Sequence, residues 1–171
     1  MRLFVAIDLD DPIKKNLKDY QNTLRNCGVT GNYSPEQNLH LTLAFIGEYG
    51  DPDAVLGAME EVPFDSFCLE TEGTGFFSDT LWAGTVKNGE LDSLVRKLRK
   101  ALSDAEVPFD RKRFRPHITL VRRAAVPEGK VAAIPQLQRM SMNVERISLF
   151  RSDRGRHGMV YTEIGYISAI R

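Results

Sequence analysis

Cysteine, histidine and long apolar runs are all scarce in this sequence, and each scarcity narrows its chemistry. Cys27 and Cys68 are the only cysteines in 171 residues. They form no CxxC pair, which argues against a zinc ribbon or a dithiol redox centre. Two free thiols suit a reducing compartment, so a cytoplasmic location is expected. No apolar stretch approaches the roughly 20 residues that a membrane-spanning helix needs. The opening MRLFVAIDLDD has neither the long apolar core nor the small-residue cleavage site of a secretory leader, and it reads better as a buried strand. Net charge is zero, which argues against a protein that coats nucleic acid non-specifically. A site that grips one phosphate or one RNA end is still compatible with it. Neither a nucleophile elbow nor the paired aromatic motifs of an RNA-binding sheet platform is present.

What is present fits a soluble globule: 42% of residues are hydrophobic and 27% charged. LFVAIDL (3 to 9) predicts a strand. Asp10-Asp11-Pro12 predicts a capped helix start, with Ile13, Leu17, Tyr20 and Leu24 as its apolar stripe and Gly28 at its end. NYSPEQN (32 to 38) is a turn-rich approach to a strand over 39 to 48. A second helix starts at Asp51-Pro52 and runs to about Glu61. FCLETEGTGFF and TLWAGTV predict a hairpin around Ser78-Asp79. Glu90 to Ala105 is the clearest helix, striped by Leu91, Leu94, Val95, Leu98 and Leu102. HITLVRR follows Pro116. One strand is expected over SMNVERISLFR, then a turn at Gly155 to Gly158 and a last strand. The order implies an α+β fold with much antiparallel pairing, in one domain covering residues 1–171.

Two of the three histidines open nearly the same phrase, HLTLAFIG from His40 and HITLVRR from His117. The phrases lie 77 residues apart, and each follows a helix and a Pro-containing loop. That spacing is consistent with an internal duplication. In a strand, alternate side chains share a face, so His40 points with Thr42 and His117 with Thr119. Leu41, Leu43, Ile118 and Leu120 then back them. Brought into one cleft, one imidazole can accept a proton from water while the other gives one to a leaving oxygen. The threonine hydroxyls can donate hydrogen bonds to an anion held between them. A phosphodiester has the matching pieces: an attacking oxygen, a leaving oxygen opposite it, and two charged oxygens that need donors. A lone strand histidine is ordinarily a packed or surface residue, but the repeated phrase weighs against that. Zinc held by the histidines and a cysteine is a second reading, without ligand spacing to support it.

With their flanks, these phrases resemble the two-histidine (2H) phosphoesterase superfamily. Within it they are most similar to the RNA 2′,3′-cyclic phosphodiesterases, also called 2′-5′ RNA ligases. The matching segments are RLFVAIDL (2 to 9), PEQNLHLTLAFIGE (35 to 48), FRPHITLVR (114 to 122) and LFRSDRGRHGMVYTEI (149 to 164), in the family's order. The resemblance implies a two-lobed, pseudo-twofold fold of antiparallel sheets with outer helices around a central cleft. It implies His40 as proton donor and His117 as acceptor in opening a 2′,3′-cyclic phosphate to a 2′-phosphate. It assigns phosphate contacts to Thr42 and Thr119, and substrate contacts to Arg122, Arg151 and Ser152. No metal, cofactor or obligate protein partner is implied; RNA ends or small cyclic nucleotides are the expected substrates. On a regular strand Arg122 would face away from His117, so its role requires a bend. Tyr33-Ser34 before Pro35, and an extra Gln before Asn38, depart from the family pattern. His157 reads as a surface-loop histidine. The basic run Arg111 to Arg115 is either a solvated face or a guide for RNA. Joining of RNA ends through a 2′-5′ bond, or capture of a phosphorylated end without turnover, stay open beside hydrolysis.

Overall fold

Strict alternation in the first strand sets up two different environments. In β1 (Arg2–Asp8), Leu3, Val5 and Ile7 enter the main core, while Phe4 and Ala6 join a small cluster with Phe150 on the other face. The structure, a computed structural model, describes residues 1–130 and 133–171. After β1 come α1 (Asp11–Asn26), β2 (Thr30–Tyr33), a 3-10 turn (Glu36–Asn38) and β3 (His40–Glu48). Then follow α2 (Pro52–Glu60), β4 (Phe67–Phe77), β5 (Thr80–Thr85), α3 (Gly89–Asp104) and β6 (Ile118–Ala125). The chain closes with β7 (Ser141–Val144), β8 (Arg146–Gly155) and β9 (Gly158–Ser168).

The helices start where polar caps stand. Asp10 accepts a hydrogen bond from the Ile13 amide at 3.0 Å, and Asp51 from that of Ala54 at 3.1 Å, each with proline in the first turn. Asn88 caps α3 through the amides of Glu90 and Leu91.

Among the described residues all strand pairs are antiparallel, in two sheets. One has the order β3-β1-β8-β9 and the other β2-β6-β5-β4-β7. Apart from Phe4, Ala6 and Phe150, the buried apolar residues of both sheets belong to one contiguous cluster. Each His-x-Thr phrase therefore sits in a different sheet, with its leucines in the shared core.

Two expectations need correction. NYSPEQN does not simply lead into β3: its first residues belong to β2, an edge strand paired with β6. β2 is polar and largely exposed, so it carries no apolar alternation to betray it. The segment SMNVERISLFR is two strands rather than one. β7 pairs with β4 in the second sheet and β8 with β1 in the first, so the chain changes sheets at Glu145. Val144 and Ile147 are both buried, which is why the apolar alternation slips between them.

Candidate active site

The cleft face of each sheet depends on a one-residue irregularity at the same place in each phrase. In β3, Thr42 pairs with Ala6 and Ala44 with Val5, so Leu43 is an extra residue. In β6, Thr119 pairs with Trp82 and Val121 with Leu81, so Leu120 is extra. Such bulges bend a strand and reverse the facing of the residues beyond them. Leu43 and Ala44 are both buried, as are Leu120 and Val121. Phe45 and Arg122, each five residues after its histidine, thereby return to the cleft side. Arg122 lines the same cavity as His40, Thr42, His117 and Thr119. The bend that its role requires is present.

A buried polar side chain supports the second bulge. Gln21, 2% exposed on α1, donates from Nε2 to the carbonyl oxygens of Leu120 and Ser34, each at 2.9 Å. The Ser34 amide donates to the same Leu120 oxygen at 2.9 Å. Sequence reasoning misses Gln21. The available signal is a polar residue four positions after Leu17, on the helix's apolar stripe.

The two imidazoles are held alike. His40 Nδ1 lies 2.6 Å from the Asn38 carbonyl oxygen, and His117 Nδ1 lies 2.7 Å from that of Arg115. A carbonyl can only accept, so both Nδ1 atoms carry hydrogen and Nε2 is the nitrogen left for proton transfer. The Thr42 hydroxyl donates to Nε2 of neutral His40 at 2.9 Å. Aromatic edges or faces wall both rings. Tyr161 stands edge-on to His40 with centroids 5.3 Å apart, and Phe77 edge-on to His117 at 4.9 Å. Phe4 packs 4.9 Å from His40, and Trp82 6.4 Å from His117. Trp82 is seated over Gly75, where a Cβ would come within 2.4 Å of the indole.

The surroundings bias His40 toward neutrality. Burial lowers its pKa from the ordinary 6.5, and the positive charges of Arg122 and His117 act in the same direction. The hydrogen bond to Asn38 and the carboxylate of Asp8 oppose them only partly. Asp8 is itself bound to Lys14 Nζ at 2.8 Å.

The cleft encloses about 950 Å³, enough for a nucleotide. Ser152 lies not in this cavity but in an adjoining hollow that shares His40, Thr42 and Arg122 with it. Arg151 lines neither. Along β8, Phe150, Ser152 and Arg154 take the cleft side, so Arg151 falls on the opposite face, where it binds Asp153 at 2.7 Å. Arg151 is therefore not brought together with the other expected site residues; Arg154 is the arginine that β8 presents to the adjoining hollow. His157, at the exposed tip of the β8–β9 hairpin, lies on the cleft rim. Asn38 ties that hairpin down by donating from Nδ2 to the Met159 carbonyl at 2.9 Å. Among the described residues, no cluster of three His, Cys, Asp or Glu side chains could hold a metal ion. Among them, too, no helix is long and apolar enough to cross a membrane.

Known proteins resemble this chain in sequence and fold. The sequence pattern of the 2′-5′ RNA ligase superfamily matches residues 10–156. An RNA 2′,3′-cyclic phosphodiesterase of Archaeoglobus fulgidus is 35% identical over 130 aligned positions, covering 71% of this chain and 72% of that protein. One from Thermotoga maritima is 29% identical over 173 aligned positions, covering 94% and 91%. Escherichia coli LigT complexed with 3′-AMP superposes with a TM-score of 0.85 at 26% identity, covering 99% of this chain and 98% of that one. The match spans both His-x-Thr phrases and the strands that carry them, and the chain belongs to the 2′-5′ RNA ligase superfamily.

Proposed function

We propose that this protein is an RNA 2′,3′-cyclic phosphodiesterase that opens a terminal cyclic phosphate to a 2′-phosphate without a metal, working as a single two-lobed unit. The observation that carries the reading is the pair of imidazoles, each with Nδ1 fixed on a backbone carbonyl, lining one cleft with two threonines and an arginine. His117 Nε2 takes a proton from water as its oxygen attacks phosphorus. The P–O3′ bond breaks, and His40 Nε2 gives its proton to the departing O3′. Thr42, Thr119 and Arg122 hold the charged phosphate oxygens.

His40 must be protonated to act as the acid, yet its surroundings in the free protein lower its pKa. A bound cyclic phosphate carries the negative charge that reverses this. The acid is thus armed by the substrate. Attack by a 5′-hydroxyl of another strand in place of water would join ends through a 2′-5′ bond with the same groups. The phosphodiesterase names of the similar proteins favour hydrolysis. A cytoplasmic location belongs to the same proposal, supported by two unpaired, exposed cysteines.

The test is incubation of an RNA oligonucleotide ending in a 2′,3′-cyclic phosphate with purified protein and excess EDTA, with products resolved by phosphorus NMR. A 2′-phosphate formed at an undiminished rate is expected. A 3′-phosphate, or activity lost to EDTA and restored by zinc or manganese, refutes the mechanism.

A further inference from the structure

The cleft opens on one side into the second hollow, of about 490 Å³. Beyond the shared His40, Thr42 and Arg122, that side arm is bounded by Arg2, Phe45 and Arg154. The Arg2 guanidinium lies 4.9 Å from the Phe45 ring centroid. Among the described residues, neither Arg122 nor Arg154 has an ion-pair partner. Glu48 is the one carboxylate among the described residues on the wall, against three guanidinium groups. The part of the cleft that lies outside the side arm has another character. Thr30, Asn32 and Ser34 line it with a single arginine, Arg25. Arg25 stacks on the Tyr33 ring, 4.0 Å from its centroid, as Arg2 stacks on Phe45, but it is further engaged by donating to Asn22 Oδ1 at 2.8 Å.

Resting on the function proposed above, we propose that the side arm binds the phosphodiester chain 5′ of the terminal nucleotide. The protein then selects oligonucleotide ends over mononucleoside cyclic phosphates. Unpaired guanidinium groups beside aromatic rings are the chemistry that holds single-stranded RNA, with phosphates on the cations and bases on the rings. A mononucleoside cyclic phosphate has one phosphate, which the histidines and threonines already occupy, and leaves Arg2 and Arg154 unused. An oligonucleotide brings its next phosphate out of the central cleft, and this arm is the exit with free positive charge. The amide and hydroxyl groups of Thr30, Asn32 and Ser34 suit the edge of the terminal base.

The experiment compares kcat/KM for adenosine 2′,3′-cyclic phosphate with that for an adenylate hexamer bearing the same terminus. The variants are Arg154→Gln, Arg2→Gln with Arg154→Gln, and Arg25→Gln, with Lys97→Gln on the exposed face of α3 as control. The hexamer-to-mononucleoside ratio should exceed one in the wild type and fall on the order of tenfold in Arg154→Gln, the effect of one solvent-open charged hydrogen bond. It should fall further in the double variant. The salt dependence of hexamer binding should weaken by a log–log slope of about 0.7 for each phosphate that is no longer neutralised by a guanidinium. A ratio unchanged in both side-arm variants, or lowered by Arg25→Gln instead, overturns the proposal. If the wild type hydrolyses neither substrate, the catalytic reading fails by itself. The arm is then judged by fluorescence anisotropy with a 2′-phosphate-terminated hexamer, where equal binding by wild type and Arg154→Gln overturns it. Unchanged thermal midpoints establish that the variants are folded.

Discussion

Arg122 is where the bend of β6 becomes chemistry, and replacing it tests both its reach and its field. Arg122→Gln removes the charge but keeps a polar side chain of similar length. A charge-assisted hydrogen bond to phosphate contributes about 1.5–3 kcal/mol, or roughly a 10- to 150-fold change in a binding constant. Arg122 is exposed in the empty cleft, so solvent screening moves the expectation to the lower end, about tenfold in KM. The second consequence is a titration. The guanidinium is one of the groups that lower the pKa of His40. Its removal should let His40 gain a proton at a higher pH than in the wild type. Arg122→Lys should keep most of that field, yet lose the two-pronged grip on phosphate. Steady-state kinetics on a cyclic-phosphate oligonucleotide and an NMR titration of the His40 Cε1–H resonance read the two effects separately. An unchanged KM together with an unmoved or lowered His40 titration in Arg122→Gln would refute the placement of this side chain beside the reacting phosphate.

Other perturbations have equally definite outcomes. His40→Ala and His117→Ala should each cut turnover by at least ~10², as for a positioned acid or base. A substrate whose leaving group needs no proton should rescue His40→Ala more than His117→Ala; rescue in the reverse order means the roles are exchanged. Gln21→Leu should cost about 1–3 kcal/mol by urea unfolding and raise KM in the direction of Arg122→Gln, with circular dichroism unchanged. An effect on stability alone would confine Gln21 to the fold. Stability should also depend on His40. Its folded pKa lies below the unfolded value near 6.5, so between the two the unfolded chain binds a proton that the folded one does not. Stability should fall as pH drops below 6.5 and level off beneath the folded pKa. Comparing urea midpoints across that window, His40→Gln should lose this component of the slope, and an unchanged slope would show that burial does not perturb the imidazole.

Much of this site is legible in sequence because its components are periodic. His40 and Thr42, like His117 and Thr119, alternate with core leucines, and period two is enough to aim them together. Asp10, Asp51 and their prolines mark helix starts by local chemistry alone. A bulge leaves no such mark. Leu43 and Leu120 look like ordinary strand residues, yet they invert the facing of the residues that follow them directly, and this decides where Arg122 points. Arg151 is placed apart from the other candidate residues for a related reason. A family pattern supplies an Arg-Ser pair, but adjacent strand residues face opposite ways, so both cannot reach one hollow from a regular strand. Ser152 lines the hollow beside the cleft, with Arg154 two residues on. The polar edge strand β2 and the change of sheet at Glu145 depend on partners distant in sequence, which alternation cannot report.

The two halves of the site agree closely and then differ where function requires it. Each has a histidine whose Nδ1 is bound to the carbonyl two residues before it, an aromatic edge against the ring, and an extra leucine three residues after. Two identical halves would give two imidazoles in the same surroundings and no reason for a proton to travel in a given direction. The symmetry breaks at the fifth residue, which is Phe45 in one half and Arg122 in the other. Phe45 contributes an apolar wall beside Arg2, and Arg122 a cation whose field reaches His40. Burial and an arginine from the other sheet both lower the pKa of His40, the shift that a bound phosphate would reverse in the proposed mechanism. The bulges that put Phe45 and Arg122 at equivalent places thus give two similar halves different surroundings for their histidines.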